Sequence, residues 1–281
     1  MATISRRHAH DAGFTLAELL VTIAVLGLIM AAVLGIYTVT QRSTFVGTAA
    51  EDAQVVTRVT LEKIVTDLQL INAGRPTSAG AILTATSTSL TLLGDVDNDT
   101  LDAGGNNATL TKDLGTADGK AMVSSTQGFA VGELLSVQYF GTPKLMSSGA
   151  ISETRQITSI SGPNVFFALP ALSNSYPKVG SIVRSVETVA YDYTNVAGGT
   201  LTRTMVGVIP ALLPDTLATN CPTFQLTYWQ GSVPAVQIPN PNTQALRNQI
   251  KEIRISLACR AQSGDQTALR TMTATVRPRN L

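Results

Sequence analysis

Few side chains in this sequence could do chemistry, and they do not form a pattern typical of an active site. The two histidines, His8 and His10, fall within the first ten residues. Gly-x-Ser-x-Gly does not occur, and no pair of carboxylates stands out on neighbouring segments. Acid–base and nucleophilic catalysis depend on such groups. Two cysteines without histidine also cannot supply the four ligands of a usual zinc site. We therefore expect the protein not to be an enzyme.

An acidic loop at residues 94–102 is the first candidate binding site. Its aspartates alternate along the chain and resemble the first half of a calcium loop, because a hard cation prefers several oxygens from one tight turn. The candidate ligands are Asp95, Asp97, Asp99 and the carbonyl of Leu101. The second half departs from the pattern, since Thr100 replaces the expected glycine and Asn106 the expected bidentate carboxylate. A solvated acidic turn is the first expectation, with calcium as the alternative; no other cofactor is expected.

The second candidate is Glu18, which lies inside an apolar run at residues 14–36. As a helix this run covers roughly 34 Å, enough for the hydrocarbon core of a bilayer. Arg6 and Arg7 precede it and place the amino terminus in the cytoplasm, so the rest of the chain is exported. A carboxylate at membrane depth is costly unless a cation accepts it. The alternatives are a glutamate that snorkels at a helix end and an ordinary signal peptide, which fits poorly.

Residues 13–20, which read Gly-Phe-Thr-Leu-Ala-Glu-Leu-Leu, resemble the cleavage and methylation signature of type IV prepilins and type II secretion pseudopilins. The resemblance implies that a prepilin peptidase cuts between Gly13 and Phe14 and methylates the new amine. Residues 1–13 would be the leader peptide. It also implies that the Phe14 ammonium pairs with Glu18 of a neighbouring subunit, which would supply the missing cation.

Beyond the apolar run, apolar residues return at intervals typical of a helix. They are Phe45, Ala49, Ala53, Val56, Val59, Ile64, Leu68 and Ile71. Arg58–Glu62 and Lys63–Asp67 are spaced as weak ion pairs on its exposed face. Gly74 and Pro76 then stop the helix, which predicts one helix over residues 14–73. A coiled coil is the alternative, but the apolar spacing is not a sustained heptad.

Residues 74–281 predict strands, because they are rich in Thr, Ser, Val and Gly with frequent turn signals. Hairpins are expected at Gly162-Pro163-Asn164 and at Gly198-Gly199. The expected fold class is α+β. Its long N-terminal helix is transmembrane in the first half and amphipathic in the second, and packs on an antiparallel β-sheet domain as in pilins. A β subdomain is a candidate around residues 112–183.

The order of segments in this domain resembles the PilW type of minor pilin. The resemblance rests on segments such as residues 134–140, 224–228, 250–257 and 278–281, and is loose in the middle of the domain.

Cys221 and Cys259 both lie in the exported part, where disulfides persist. If residues 223–229 pair antiparallel with residues 250–257, the two cysteines fall beside each other. We expect a disulfide; two separate buried thiols are the alternative.

Charge argues against a general nucleic-acid binder, because the formal net charge is +1 and aromatic residues make up only 5%. Basic residues are in local excess over residues 242–281. A solvated sheet face explains them, so nucleic-acid binding is not expected.

These patterns predict a minor pilin that helps initiate or cap a type IV pilus. The expected partners are other major and minor pilins, the prepilin peptidase and the inner-membrane assembly platform. The protein would sit in the inner membrane with a periplasmic domain, and in the extracellular pilus after assembly. The alternatives are a type II secretion pseudopilin and a pilus-tip adhesin or DNA-uptake receptor.

Overall fold

One long helix precedes a domain of antiparallel strands. The structure is a computed structural model that describes residues 15–75, 80–96, 107–140, 151–168, 172–206, 214–231 and 234–281. The helices are α1 (Leu16–Gln69) and α2 (Gln244–Arg247). The strands are β1 (Ile82–Ala85), β2 (Ser89–Gly94), β3 (Lys120–Met122), β4 (Leu134–Tyr139), β5 (Ile151–Ser161), β6 (Asn164–Phe167), β7 (Ser181–Thr194), β8 (Thr200–Val206), β9 (Asp215–Thr219), β10 (Thr223–Gln230), β11 (Gln237–Ile238), β12 (Ile250–Ser263) and β13 (Gln266–Val276). The expected α+β fold is confirmed.

Helix α1 has two halves that face different surroundings. Its first half contains a stretch apolar enough to cross a membrane, and none of that stretch is buried in the protein. Its second half packs against β12 and β13. The buried positions are Ala49, Ala53, Thr57, Thr60, Leu61, Ile64, Asp67 and Leu68. The predicted stripe was wrong at Val56 and Val59, which are 39% and 59% exposed because both lie to one side of this row.

The helix ends at Gln69, a few residues before the predicted end at residue 73. Asn72 takes a left-handed backbone conformation with φ of 65° and turns the chain away from the helix axis. Its backbone N–H then donates to the Leu93 carbonyl at 2.8 Å, and its side-chain amide donates to the Asn280 carbonyl at 2.9 Å. The end of the helix is therefore fixed by contacts with β2 and with the carboxy terminus.

The described residues form a nine-stranded sheet, which we call the N-terminal sheet. Its order is β1-β2-β7-β4-β5-β6-β3, with β8 paired to β7 and β9 paired to β8. Strand β7 joins two parts of it, since its first half pairs with β4 and its second half pairs with β2 and β8. One hydrophobic core lies between α1 and both sheets, and a second lies among β3 to β7 and neighbouring loops.

The C-terminal sheet has the order β11-β10-β12-β13. Strands β10 and β12 pair antiparallel, from Thr223 opposite Ala258 to Trp229 opposite Glu252, as the sequence predicted. Strands β12 and β13 form a long hairpin, paired from Ile253 opposite Val276 to Ser263 opposite Gln266. Its turn meets the helix, because a Cβ on Gly264 would lie 3.2 Å from Cδ2 of Phe45.

Replacing Gly199 should destabilise the fold strongly. Its φ is +93°, and a Cβ there would lie 1.9 Å from the Cys221 carbonyl oxygen, so Gly199→Ala forces backbone to move. Gly162→Ala is the matched control, since its φ is +57° and nothing lies within 4 Å of the added carbon. Gly162→Ala should lower the free energy of unfolding only by the left-handed backbone strain, about 1–2 kcal/mol. Urea unfolding of the full chain in detergent, followed by fluorescence of Trp229, measures the stability of both variants. Equal losses of unfolding free energy in the two variants would contradict the prediction.

Candidate assembly site

The side chain of Glu18 closes a capping box at the start of α1. Its Oε2 accepts hydrogen bonds from the backbone N–H and the hydroxyl of Thr15, both at 3.0 Å. In return, the Glu18 backbone N–H donates to the Thr15 hydroxyl at 3.3 Å. The carboxylate therefore satisfies backbone donors that the first helical turn leaves open, and it lies where the helix dipole favours negative charge.

Most other polar side chains of the first half of α1 are satisfied inside the helix. The Thr22 hydroxyl donates to the Glu18 carbonyl at 2.7 Å, and the Thr40 hydroxyl donates to the Ile36 carbonyl at 2.9 Å. Polar side chains of a helix in lipid need hydrogen bonds within the helix, because hydrocarbon offers no hydrogen-bond partners. Glu18 differs from these threonines because it carries a charge and remains exposed in the single chain.

The predicted processing residues, Gly13 and Phe14, lie outside the described residues. The capping box begins at the next residue, Thr15, so Glu18 lies one turn from the position at which cleavage is expected. The pairing of Glu18 with a cleaved amine stays a prediction.

Asp67 joins α1 to the N-terminal sheet through a buried polar cluster. Its Oδ2 accepts from the Tyr191 hydroxyl at 2.5 Å and from Nε of Arg203 at 2.6 Å. Nζ of Lys63 lies 3.3 Å from Oδ1. Nearby, the Thr60 hydroxyl donates to the Leu217 carbonyl at 3.2 Å. These contacts tie one turn of the helix to β7, β8 and β9.

The expectation that Lys63–Asp67 is a surface pair was therefore wrong. The Asp67 side chain is 1% exposed, because strands β7 and β8 cover that part of the helix. Burial, with a further contribution from Asp67, raises the pKa of the Tyr191 hydroxyl far above its usual range. Burial alone would lower the pKa of Arg203, but the hydrogen bond to Asp67 raises it. The cluster thus contains a neutral phenol and a guanidinium bound to one carboxylate.

Cys221 and Cys259 form a disulfide, as predicted. Both residues are buried. Cys221 lies between β9 of the N-terminal sheet and β10 of the C-terminal sheet, and Cys259 lies in β12. The bond therefore fixes the point at which the chain passes from one sheet to the other.

The predicted acidic loop is described only at its start. Asp95 is 3% exposed, and its Oδ2 lies 3.7 Å from Nη1 of Arg184. Asp97, Asp99 and Leu101 lie outside the described residues. Within the part of the chain that the structure describes, no three His, Cys, Asp or Glu side chains are grouped to hold a metal ion. The calcium site stays a prediction.

Sequence reasoning also missed the buried carboxylate of Glu252 on β12. It binds two arginines, Arg254 and Arg277, each at 2.7 Å. The available signal was its position opposite Trp229 in the predicted strand pair, on the side of β10 away from the core.

Comparison with known proteins identifies the amino-terminal segment. Residues 8–34 match the family described as "Prokaryotic N-terminal methylation motif". This chain carries the methylation motif of pilin-like proteins. Together with the long apolar helix and the antiparallel domain, the methylation motif supports a type IV pilin-like or pseudopilin protein, a kind that is structural rather than catalytic. It also supports membrane anchoring, assembly with other pilins and processing by a prepilin peptidase.

No curated protein matches the chain significantly. Among solved structures, the chain is similar to the Gp54 tailspike of the Acinetobacter baumannii bacteriophage AP22 in complex with A. baumannii capsular saccharide. The TM-score is 0.26 at 17% identity, over 28% of this chain and 14% of the tailspike chain. The chain thus spans a small part of that protein, and a likeness of this degree carries no information on fold or function.

Removing the Asp67 carboxylate should destabilise the domain by about 3–5 kcal/mol, because Arg203 is left as a buried charge without its partner. The variant is Asp67→Ala, measured by urea unfolding of the full chain in detergent. Glu62→Ala is the matched control on the same helix. It removes the exposed Arg58–Glu62 pair, which should be worth at most about 1 kcal/mol. Similar losses of unfolding free energy in Asp67→Ala and Glu62→Ala would show that the buried cluster does not hold helix and sheet together.

Proposed function

We propose that this protein is a minor pilin, a non-catalytic subunit that helps to initiate or cap a type IV pilus. One observation carries the proposal: an exposed carboxylate caps an apolar helix that none of the described residues covers, within a matched methylation motif. A charge at that depth is costly in lipid, and a cation from a neighbour removes the cost. The uncovered helix and its capping glutamate therefore favour lateral assembly over a single inserted chain.

In this proposal a prepilin peptidase cleaves after Gly13 and methylates the amine of Phe14. The new ammonium pairs with Glu18 of an adjacent pilin. That glutamate then gives up its hydrogen bonds to Thr15 of its own chain. The expected partners are other major and minor pilins and the inner-membrane assembly platform. Before assembly the domain that begins near residue 74 is periplasmic, and afterwards it stands on the extracellular pilus.

A large globular domain supports a place at the filament end. The structure describes two sheets and two hydrophobic cores beyond the helix. Such bulk is easier to accommodate where no subunit has to pack above it. The low-abundance, tip-proximal position is an inference from this size.

Cleavage should depend on the glycine at position 13. Gly13→Val adds a branched side chain at the bond to be cut, so we expect the protein isolated from membranes to retain its first 13 residues. The wild type should begin at N-methylated Phe14 in amino-terminal sequencing and mass spectrometry. Gly27→Val is the control, because nothing lies within 4 Å of a Cβ at that exposed helix position. A wild-type protein that begins at Met1 in a host with an active peptidase would overturn the proposal.

Assembly should depend on the charge of Glu18. Glu18→Gln keeps the length of the side chain and its reach to Thr15 but removes the negative charge, so we expect membrane insertion without incorporation into filaments. Thr22→Val is the control, since it alters a hydroxyl that bonds only to the helix backbone one turn away. Immunogold labelling and sheared-filament fractions measure incorporation. Filament levels equal to wild type in Glu18→Gln would contradict the pairing.

A type II secretion pseudopilin is the second candidate, because the methylation motif is compatible with both classes. Crosslinking of the full chain in its native envelope, followed by identification of the partners, discriminates the two. Pilins and pilus assembly proteins as partners favour the first candidate. Components of a secretin-dependent secretion system favour the second.

A further inference from the structure

The outer face of the C-terminal sheet, turned away from α1, presents polar side chains in register across three strands. Leu226 and Ile255 point to the opposite side and are buried in the core. The rows on the outer face are Thr227–Arg254–Thr275 and Gln225–Ser256–Thr273. Neighbouring strands lie about 4.8 Å apart, so each row is a close set of polar groups. A shallow groove of about 270 Å³ runs between them.

One end of this outer face is organised by the buried carboxylate of Glu252. Its Oε1 accepts from Nε of Arg254 at 2.7 Å, and its Oε2 accepts from Nε of Arg277 at 2.8 Å. Nη2 of Arg277 lies 2.7 Å from the same Oε2. Hydrogen bonds from the two arginines lower the pKa of Glu252, so the carboxylate stays charged. The Arg254 guanidinium also stacks on the Trp229 ring, 3.9 Å from its centroid. The Arg254 guanidinium, which lines the groove, is therefore held by two contacts, and Arg277 is bound to the same carboxylate at the end of this face.

These groups have unused hydrogen-bonding capacity. Nε of Arg254 is bonded to Glu252, whereas its two terminal nitrogens make no hydrogen bond to any described residue. Four other polar side chains that line the groove also make no hydrogen bond to any described residue: Gln225, Ser256, Thr273 and Thr275. A guanidinium matches a carboxylate in a two-bond geometry, while hydroxyl and amide groups both donate and accept. The face thus combines a site for one anion with neutral donors and acceptors beside it.

We propose that this outer face binds an acidic polysaccharide. Arg254 and Arg277 hold a sugar carboxylate, and the threonine, serine and glutamine side chains hydrogen-bond to sugar hydroxyls. This goes beyond the role in assembly and does not depend on it.

Charge and aromatic content favour a polysaccharide over a nucleic acid. The groove end carries two guanidinium groups and one buried carboxylate, which suits one anionic group among many hydroxyls. A nucleic acid carries a phosphate at every nucleotide and needs more cations along its path. It also gains from stacking on aromatic rings, and the one tryptophan at this face, Trp229, already stacks with Arg254.

The test is calorimetric titration of the full chain in detergent micelles with an oligogalacturonate, a chain of uronic acids, at low salt. Binding is expected, and a neutral glucan of equal length should not bind. Arg254→Gln should weaken binding by about tenfold or more, because charge-assisted hydrogen bonds are lost. Thr273→Val with Thr275→Val, which keeps charge and shape, should weaken it by about three- to tenfold. Arg270→Gln is the matched control, since Arg270 lies opposite the inward-facing Cys259 on the other side of the sheet.

Thermal unfolding verifies that each variant is folded. If Arg254→Gln unfolds, Arg277→Gln replaces it, because the Arg277 side chain is 77% exposed. Absence of oligogalacturonate binding by the wild type would overturn the proposal. So would an oligodeoxynucleotide that binds at least as tightly with no effect of the threonine substitutions, which would indicate a general polyanion surface. An equal loss in Arg270→Gln would overturn it as well.

Discussion

Helix α1 passes from one environment to another near Ala49, and this change constrains the whole molecule. Up to that point the apolar side chains of α1 are exposed in the part of the chain that the structure describes. From Ala49 onward one side of the helix is buried against strands that come from distant parts of the sequence. The burial of this second half is what makes the helix part of the domain. The same continuity leaves the first half with nothing to contact except lipid or other helices.

The buried half is held by apolar packing and by one polar cluster with a defined geometry. Apolar contacts of α1 with both sheets set the depth of the helix. The bonds of Asp67 to Tyr191 and Arg203 fix its position, because each has a direction and a buried carboxylate is costly without them. The Cys221–Cys259 disulfide fixes the passage between the two sheets on which the helix packs. A force applied to the membrane half would therefore reach both sheets through a rigid connection.

The sequence predicted well those elements whose signal is local. The helix followed from apolar spacing, the hairpins at Gly162 and Gly199 from turn residues, and the disulfide from one pair of antiparallel strands. Burial of Asp67 could not be predicted, because a Lys and an Asp four residues apart are typical of a surface pair. Its partners, Tyr191 and Arg203, lie 124 and 136 residues away along the chain.

Two of the buried carboxylates that sequence reasoning missed, Asp67 and Glu252, differ in what they contribute. Asp67 contacts both the helix and the sheet, so the structure gives it a role in holding the fold. Among the described residues, the ion pairs of Glu252 are with Arg254 and Arg277, on the face of the sheet turned away from the core. An ion pair whose arginines are 44% and 77% exposed adds little stability, because water screens the attraction. Its clear physical effect is to fix two guanidinium groups in place, and fixed guanidinium groups lower the entropic cost of binding an anion. Asp67 therefore holds the fold together, whereas Glu252 prepares a surface for a ligand.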